Sequence, residues 1–166
     1  VLVKSTNSSG ALVSLLEAFP DARFITLVRD PGESIASSIS LMMPALRAHS
    51  PELAASGTVS QAYARLSAEW YKYLHAFMGE MPSERVCLLD YRQLIQDPAA
   101  TVESVYRHFG WELATDYRDI LETMHRKQAD YRSPHRYSLE EFGVSRDWLY
   151  EAVSYTHLRA HETRED

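Results

Sequence analysis

The chain has 166 residues, 45% hydrophobic and 24% charged, a composition that suits one globular domain with a real core. Its formal net charge of −6 leaves no overall basic field to draw it to nucleic acid, though a local basic cleft is compatible with that balance. No run of about 18 apolar residues occurs, so the sequence predicts no membrane-spanning segment.

In chain order, Val1-Leu2-Val3-Lys4 reads as a short strand, all apolar until the lysine. It reads as the middle of a buried strand with no initiator methionine, so the chain is expected to be N-terminally truncated. After a polar turn over Thr6 to Gly10, Leu12, Leu15, Leu16 and Phe19 recur at helical spacing. Pro20-Asp21 ends that helix, and Arg23 to Val28 forms the next strand. Strand, helix and strand with short connections predict a βαβ unit with parallel strands. A second helix runs from Pro31 to about Leu46, with a disturbance expected at Pro44. His49 to Gly57 is polar and contains Pro and Ser, and reads as a loop or substrate lid.

The longest helix spans Thr58 to Met81. Tyr63, Leu66, Trp70, Tyr73, Phe77 and Met81 mark one face at steps of three and four. Such a stripe can stack a flat ligand, but the spacing alone is explained by a helix packed on the sheet, which is the reading favoured here. Pro82 ends it, and Glu84 to Leu89 is a third strand. The only cysteine, Cys87, lies inside this strand and reads as a small core residue. A chain with one cysteine builds no disulfide framework, which points to a reducing, cytoplasmic compartment. Tyr91 to Ile95 is a helical turn, and Val102, Val105, Tyr106 and Phe109 share one face of the next helix, closed by Gly110. Asp116 to His125 continues helical. Lys127 to Arg136 is irregular and basic, and Tyr137 to Trp148 reads as a final turn and helix. Residues 152–166 lack capping logic and an apolar face. They resemble translated sequencing-adapter read-through, so a native domain over 1–151 and a non-native tail over 152–166 are expected. His157 and His161, four apart beside Glu162, have a zinc-like spacing but no further ligands, and no metal is expected.

Chemistry concentrates where the second strand meets its helix. Phe24-Ile25-Thr26-Leu27-Val28 ends in Arg29, and Asp30, Pro31 and Glu33 supply an N-cap, a first-turn proline and a capping-box acid. Open α/β sheets bind ligands at the carboxyl ends of their strands, and helix N-termini favour anions. Ser37, two turns into the helix, can face the same crevice as Arg29, which makes a candidate anion clamp. Lys4 and Tyr91 project from the same edge in a parallel sheet, and the basic stretch around Arg136 comes later in the chain. Cations, a hydroxyl and a tyrosine around one crevice suit a phosphorylated nucleoside. Each residue alone also has an ordinary structural role: a surface lysine, an arginine paired to an acid, a packing serine, a core tyrosine with a wet hydroxyl.

The ordered set resembles the sulfotransferase family, in its bacterial and tyrosylprotein-type branches. The resemblance rests on Lys4-Ser5 with its polar turn, on Leu15 to Pro31 (Leu-Leu-Glu-Ala-Phe-Pro-Asp-Ala-Arg-Phe-Ile-Thr-Leu-Val-Arg-Asp-Pro), and on Ser37. It continues in Asp90-Tyr91-Arg92-Gln93-Leu94-Ile95-Gln96-Asp97-Pro98, where Arg92 replaces the usual acid, and in His135 to Gly143. It implies a P-loop-like α/β fold, a parallel sheet with flanking helices, that binds 3′-phosphoadenosine 5′-phosphosulfate. Arg29 and Ser37 match the pair that holds the 3′-phosphate, Tyr91 matches a tyrosine on the nucleotide, and Arg136 is expected to close over it. The implied reaction moves a sulfuryl group to a hydroxyl or amine of a small-molecule or peptide acceptor, with no metal required. Lys4 is the candidate for transition-state charge stabilisation. Two departures matter: the loop that cradles the phosphosulfate would lie upstream of Val1, and Ser8 stands where relatives often carry a histidine. This stretch alone is therefore expected to be inactive. A kinase-like phosphotransferase and a non-catalytic nucleotide-binding relative are the alternatives.

Overall fold

The computed structural model describes residues 2–4, 8–129 and 137–162, apart from the side chains of residues 8, 127–129 and 155–162. A 3-10 turn (Ser8–Ala11) leads into α1 (Leu12–Ala18), followed by β1 (Phe24–Val28), α2 (Pro31–His49), α3 (Pro51–Ala55) and α4 (Thr58–Glu80). A second 3-10 turn (Ser83–Arg85) precedes β2 (Val86–Asp90), α5 (Tyr91–Gln96), α6 (Pro98–His108) and α7 (Thr115–Ala129). A third 3-10 turn (Glu140–Phe142) precedes α8 (Arg146–Glu162). Two compact units share this chain: Val1–Ser14, Asp30–Gly79 and Arg136–Asp166 form one, and Leu15–Arg29 with Glu80–His135 form the other.

The first unit is helical. Asp30 starts α2 by accepting the Glu33 N–H at 3.0 Å, with Pro31 in the first turn. Pro44 lies inside α2 without ending it. Its ring is on the exposed side, where water can take the carbonyl that a proline leaves unpaired. Ile35, Ala36, Ile39 and Met43 of α2 meet Ala64 and Ala68 of α4, Leu149 and Val153 of α8, and Leu139 and Val144 before α8. Gly143, at φ +68°, adopts the left-handed conformation that closes the third 3-10 turn, and Ser145 Oγ then accepts the Trp148 N–H at 3.3 Å to start α8.

The second unit holds the sheet. Among the described residues it has two strands, β1 and β2, paired in parallel from Phe24↔Val86 to Val28↔Asp90. Cys87 and Leu89 pack against Val105 and Phe109 at the end of α6. Arg85 fastens the entry to β1, its guanidinium donating to Pro20 O at 2.6 Å and to Ala22 O at 2.8 Å. Arg23 stacks near Phe109 and Trp111, 5.4 and 5.5 Å from their ring centroids, and donates to Phe109 O at 3.2 Å. Asp97 caps α6 through the Ala100 N–H and lies 3.4 Å from His125 Nδ1 of α7.

The predicted helices, the strand at β1 and the strand at β2 are present, and Cys87 is a buried, free thiol. Three expectations need correction. The strand expected over Val1 to Lys4 does not form at Leu2–Lys4: Leu2 and Val3 are 88% and 78% exposed. An apolar run makes a strand only where a ladder and a covered face stabilise it, so the parallel pair is β1 with β2. The expected loop over His49 to Gly57 contains α3, because Pro51 at its first turn and Glu52 beside it suit a helix start. The aromatic stripe of α4 is not its buried face. Ser60, Ala64, Ser67 and Ala68 form the buried face, joined by Phe77, while Leu66 and Tyr73 stay exposed. Small side chains let α4 approach the α2–α8 core closely. Of the basic stretch, Lys127 to Ala129 belong to α7, and the remainder through Arg136 lies outside the described residues. Helix α8 continues across Glu151, and Val153 is fully buried; the side chains of His157, His161 and Glu162 lie outside the described ones. No described helix is long and apolar enough to cross a membrane.

Candidate functional site

Strand register places the first part of the site. Val28 and Asp90 are partners at the carboxyl ends of β1 and β2, so Arg29 and Tyr91 leave the sheet side by side. The Arg29 guanidinium carbon lies 5.0 Å from the Tyr91 ring centroid, and both residues are half-buried. Such a stack contributes about 0.5–1 kcal/mol where exposed and about 2 when desolvated. It keeps the guanidinium beside the ring, and the planar N–H fork of an arginine suits a bidentate grip on a phosphate. Tyr91 is fixed because it opens α5, whose start Asp90 caps by accepting the Arg92 N–H at 2.8 Å. Arg92 Nε is 3.7 Å from the same carboxylate, an exposed ion pair of little energetic weight.

The other unit carries Ser37, half-buried two turns into α2, with its carbonyl accepting the Ser40 hydroxyl at 2.9 Å. At the start of this helix Tyr150 Oη, from α8, donates to Asp30 Oδ2. Burial first, then the hydrogen bond and charge of Asp30, push the Tyr150 phenol above its ordinary value, with Arg146 pulling the other way. Arg146 Nη2 lies 3.3 Å from Tyr150 Oη, and its guanidinium carbon is 5.2 Å from the ring centroid. Sequence reasoning missed Arg146 and Tyr150. Their spacing of four after the Ser145 cap is legible as a helix-face pair, but nothing local points to Asp30.

Arg29 and Tyr91 are thus brought into contact in one unit, and Ser37 and Lys4 belong to the other. Lys4 is exposed and outside any strand, and Arg136 lies outside the described residues. A depression of about 300 Å³ is lined by Asp97, from the segment that carries the family resemblance, and by Ala99, Glu122, His125 and Arg126, which the sequence did not single out for binding. Among the described residues no group of three or more His, Cys, Asp or Glu is placed to hold a metal ion.

A parallel sheet that presents an arginine stacked on a tyrosine at its carboxyl edge defines an α/β domain suited to anions. The model of the sulfotransferase family matches residues 1–116, and the chain belongs to that family. It is 28% identical over 133 residues to an omega-hydroxy-beta-dihydromenaquinone-9 sulfotransferase of Mycobacterium bovis, a match covering 80% of this chain and 34% of that protein. The chain therefore spans about a third of the length of the curated relatives it matches. The crystal structure of a sulfotransferase from Mycobacterium avium superposes with a TM-score of 0.81 at 19% identity, covering 92% of this chain and 40% of that one. One from Mycobacterium tuberculosis gives 0.69 at 24% identity, covering 92% and 38%. The fold is that of the sulfotransferases.

Proposed function

We propose that the protein transfers a sulfuryl group from 3′-phosphoadenosine 5′-phosphosulfate to an acceptor, and that this chain supplies contacts to the donor's nucleotide. The observation that carries the reading is Arg29, held by Tyr91 at the carboxyl edge of a parallel sheet in a chain of this family. A half-buried guanidinium backed by an aromatic ring fits an anionic nucleotide in charge and in shape. Arg29 and Ser37 are proposed to take the 3′-phosphate and Tyr91 the nucleoside, with Arg136 closing over it. The acceptor is proposed to be a small molecule bearing a hydroxyl, as the named substrate of the mycobacterial relatives does.

In the transfer, an acceptor oxygen attacks sulfur and the bond from sulfur to the bridging phosphate oxygen breaks. The hydroxyl proton passes to a base, and 3′-phosphoadenosine 5′-phosphate leaves. Negative charge builds on the bridging oxygen, so a cation there is worth several kcal/mol, roughly 3–4 for a well-aimed donor. Lys4 is proposed for that charge. Cys87, free and buried, suits a reducing compartment, and a cytoplasmic location is proposed.

Calorimetry with 3′-phosphoadenosine 5′-phosphate and with adenosine 5′-phosphate tests the reading. The 3′-phosphorylated nucleotide is expected to bind about tenfold or more tightly, the worth of one charge-assisted contact. Equal affinity for the two would overturn it.

A further inference from the structure

We propose that Tyr150 is a positioning residue for donor binding: through Asp30 it fixes the first turn of α2, the helix that carries Ser37. This rests on the donor reading proposed for Arg29 and Ser37. The two carboxylate oxygens of Asp30 have separate duties. Oδ1 accepts the Glu33 N–H at 3.0 Å and caps the helix, and Oδ2 accepts the Tyr150 phenol. The tether spans 120 positions of chain, so it joins two elements that local sequence leaves independent.

Three further observations make the contact a built one. A Cβ on Gly32 would meet the Tyr150 oxygen at 3.1 Å and its Cε2 at 3.5 Å, so the absence of a side chain there lets the ring lie over the turn. Leu149, next to Tyr150, is fully buried in the same cluster as Ile35 and Ile39 of α2, so α8 is anchored where the phenol needs it. Arg146 stacks on the ring one turn earlier and reaches the phenol oxygen.

The consequence for an anion bound on α2 is electrostatic as well as steric. A carboxylate at a helix start satisfies backbone donors, but its full charge opposes a phosphate carried by the same helix. Donation from Tyr150, with Arg146 beside it, offsets that charge and keeps Asp30 turned to its capping role. Without the phenol, Oδ2 loses its donor, the cap has more freedom, and the turn that sets the direction of Ser37 is held less firmly.

Tyr150→Phe tests this, because the ring and its packing on Gly32 are kept and only the O–H is removed. Two readouts are needed: amide hydrogen exchange at Glu33 and Ser34, and affinity for 3′-phosphoadenosine 5′-phosphate beside adenosine 5′-phosphate. Exchange at both amides is expected to quicken, and affinity for the 3′-phosphorylated nucleotide to fall about three- to tenfold, less than for loss of a direct phosphate ligand. Affinity for adenosine 5′-phosphate is expected to stay within about twofold, since that ligand lacks the group in question. Gly32→Ala, whose methyl crowds the phenol, is expected to move both readouts the same way. Unchanged exchange, or faster exchange with the nucleotide preference intact, overturns the positioning role alone. A wild-type protein indifferent to the 3′-phosphate overturns the donor reading itself, and the positioning role with it.

Discussion

Replacing Arg29 is the sharpest perturbation of the proposed donor site. Its guanidinium lies 5.0 Å from the Tyr91 ring centroid, and both residues are half-buried, so the stack sits between the exposed and desolvated limits. Its worth is therefore about 1 kcal/mol. That energy stabilises the unliganded protein and pre-aims the arginine. A phosphate held by the fork adds about 1.5–3 kcal/mol that only the complex enjoys. Arg29→Ala is therefore expected to weaken 3′-phosphoadenosine 5′-phosphate binding by roughly tenfold to over a hundredfold, while lowering stability by only about 1 kcal/mol. Arg29→Lys keeps the charge and loses the planar fork, so its affinity should fall between the two. Tyr91→Leu keeps the cation but removes both its aromatic support and the proposed nucleoside contact, and a loss of at least about two- to fivefold is expected. Calorimetry at two salt concentrations, paired with urea unfolding of each variant, separates the terms. An Arg29→Ala protein that unfolds more easily yet binds as wild type would refute the reasoning, because the arginine would then be glue for Tyr91 and no ligand.

Burial and titration have consequences of their own. Leu149→Ala empties a fully buried position in the α2–α4–α8 core, and a loss of about 2–5 kcal/mol is expected, seen as a lower urea midpoint. Cys87 is buried and its thiol is raised above the usual range by desolvation, so a thiol reagent at neutral pH should label native protein far more slowly than unfolded protein. The folded-state pKa of Tyr150 is raised, which means the native protein holds that proton more tightly than the unfolded chain does. Its stabilising contribution is thus fully present below the ordinary tyrosine value near about 10 and is lost as pH rises through the raised one. Ultraviolet titration should show one phenol ionising late, and Asp30→Asn should bring it earlier.

The range of each interaction decides whether it can be read from the chain. The start of α2 is legible because its cap is local: Asp30, Pro31 and Glu33 lie within four positions, and the Glu33 N–H does bond Asp30. The edge pairing of Arg29 with Tyr91 is legible too, since parallel strands ending at Val28 and Asp90 must set the next residue of each side by side. Periodicity misleads where it reports a helix but not its neighbours. The aromatic spacing of α4 is genuine, yet the buried face consists of Ser60, Ala64, Ser67 and Ala68, because the helices around it come close. Leu2 and Val3 carry strand propensity, but propensity without a ladder leaves them exposed. Pro51 and Glu52 are ordinary helix-start residues that the surrounding polar composition disguises as a loop.

The tie from Tyr150 to Asp30 belongs to a different class. No local rule joins residues 120 positions apart, and the only hint at Gly32 is a glycine in a helix, which costs about 1 kcal/mol unless something needs the space. Here the phenol of Tyr150 needs it. The helix start that local sequence makes plain is therefore completed by a partner that only the fold supplies. That division explains why the residues expected to hold an anion can be read from the chain, whereas those that steady the helix beneath Ser37 cannot.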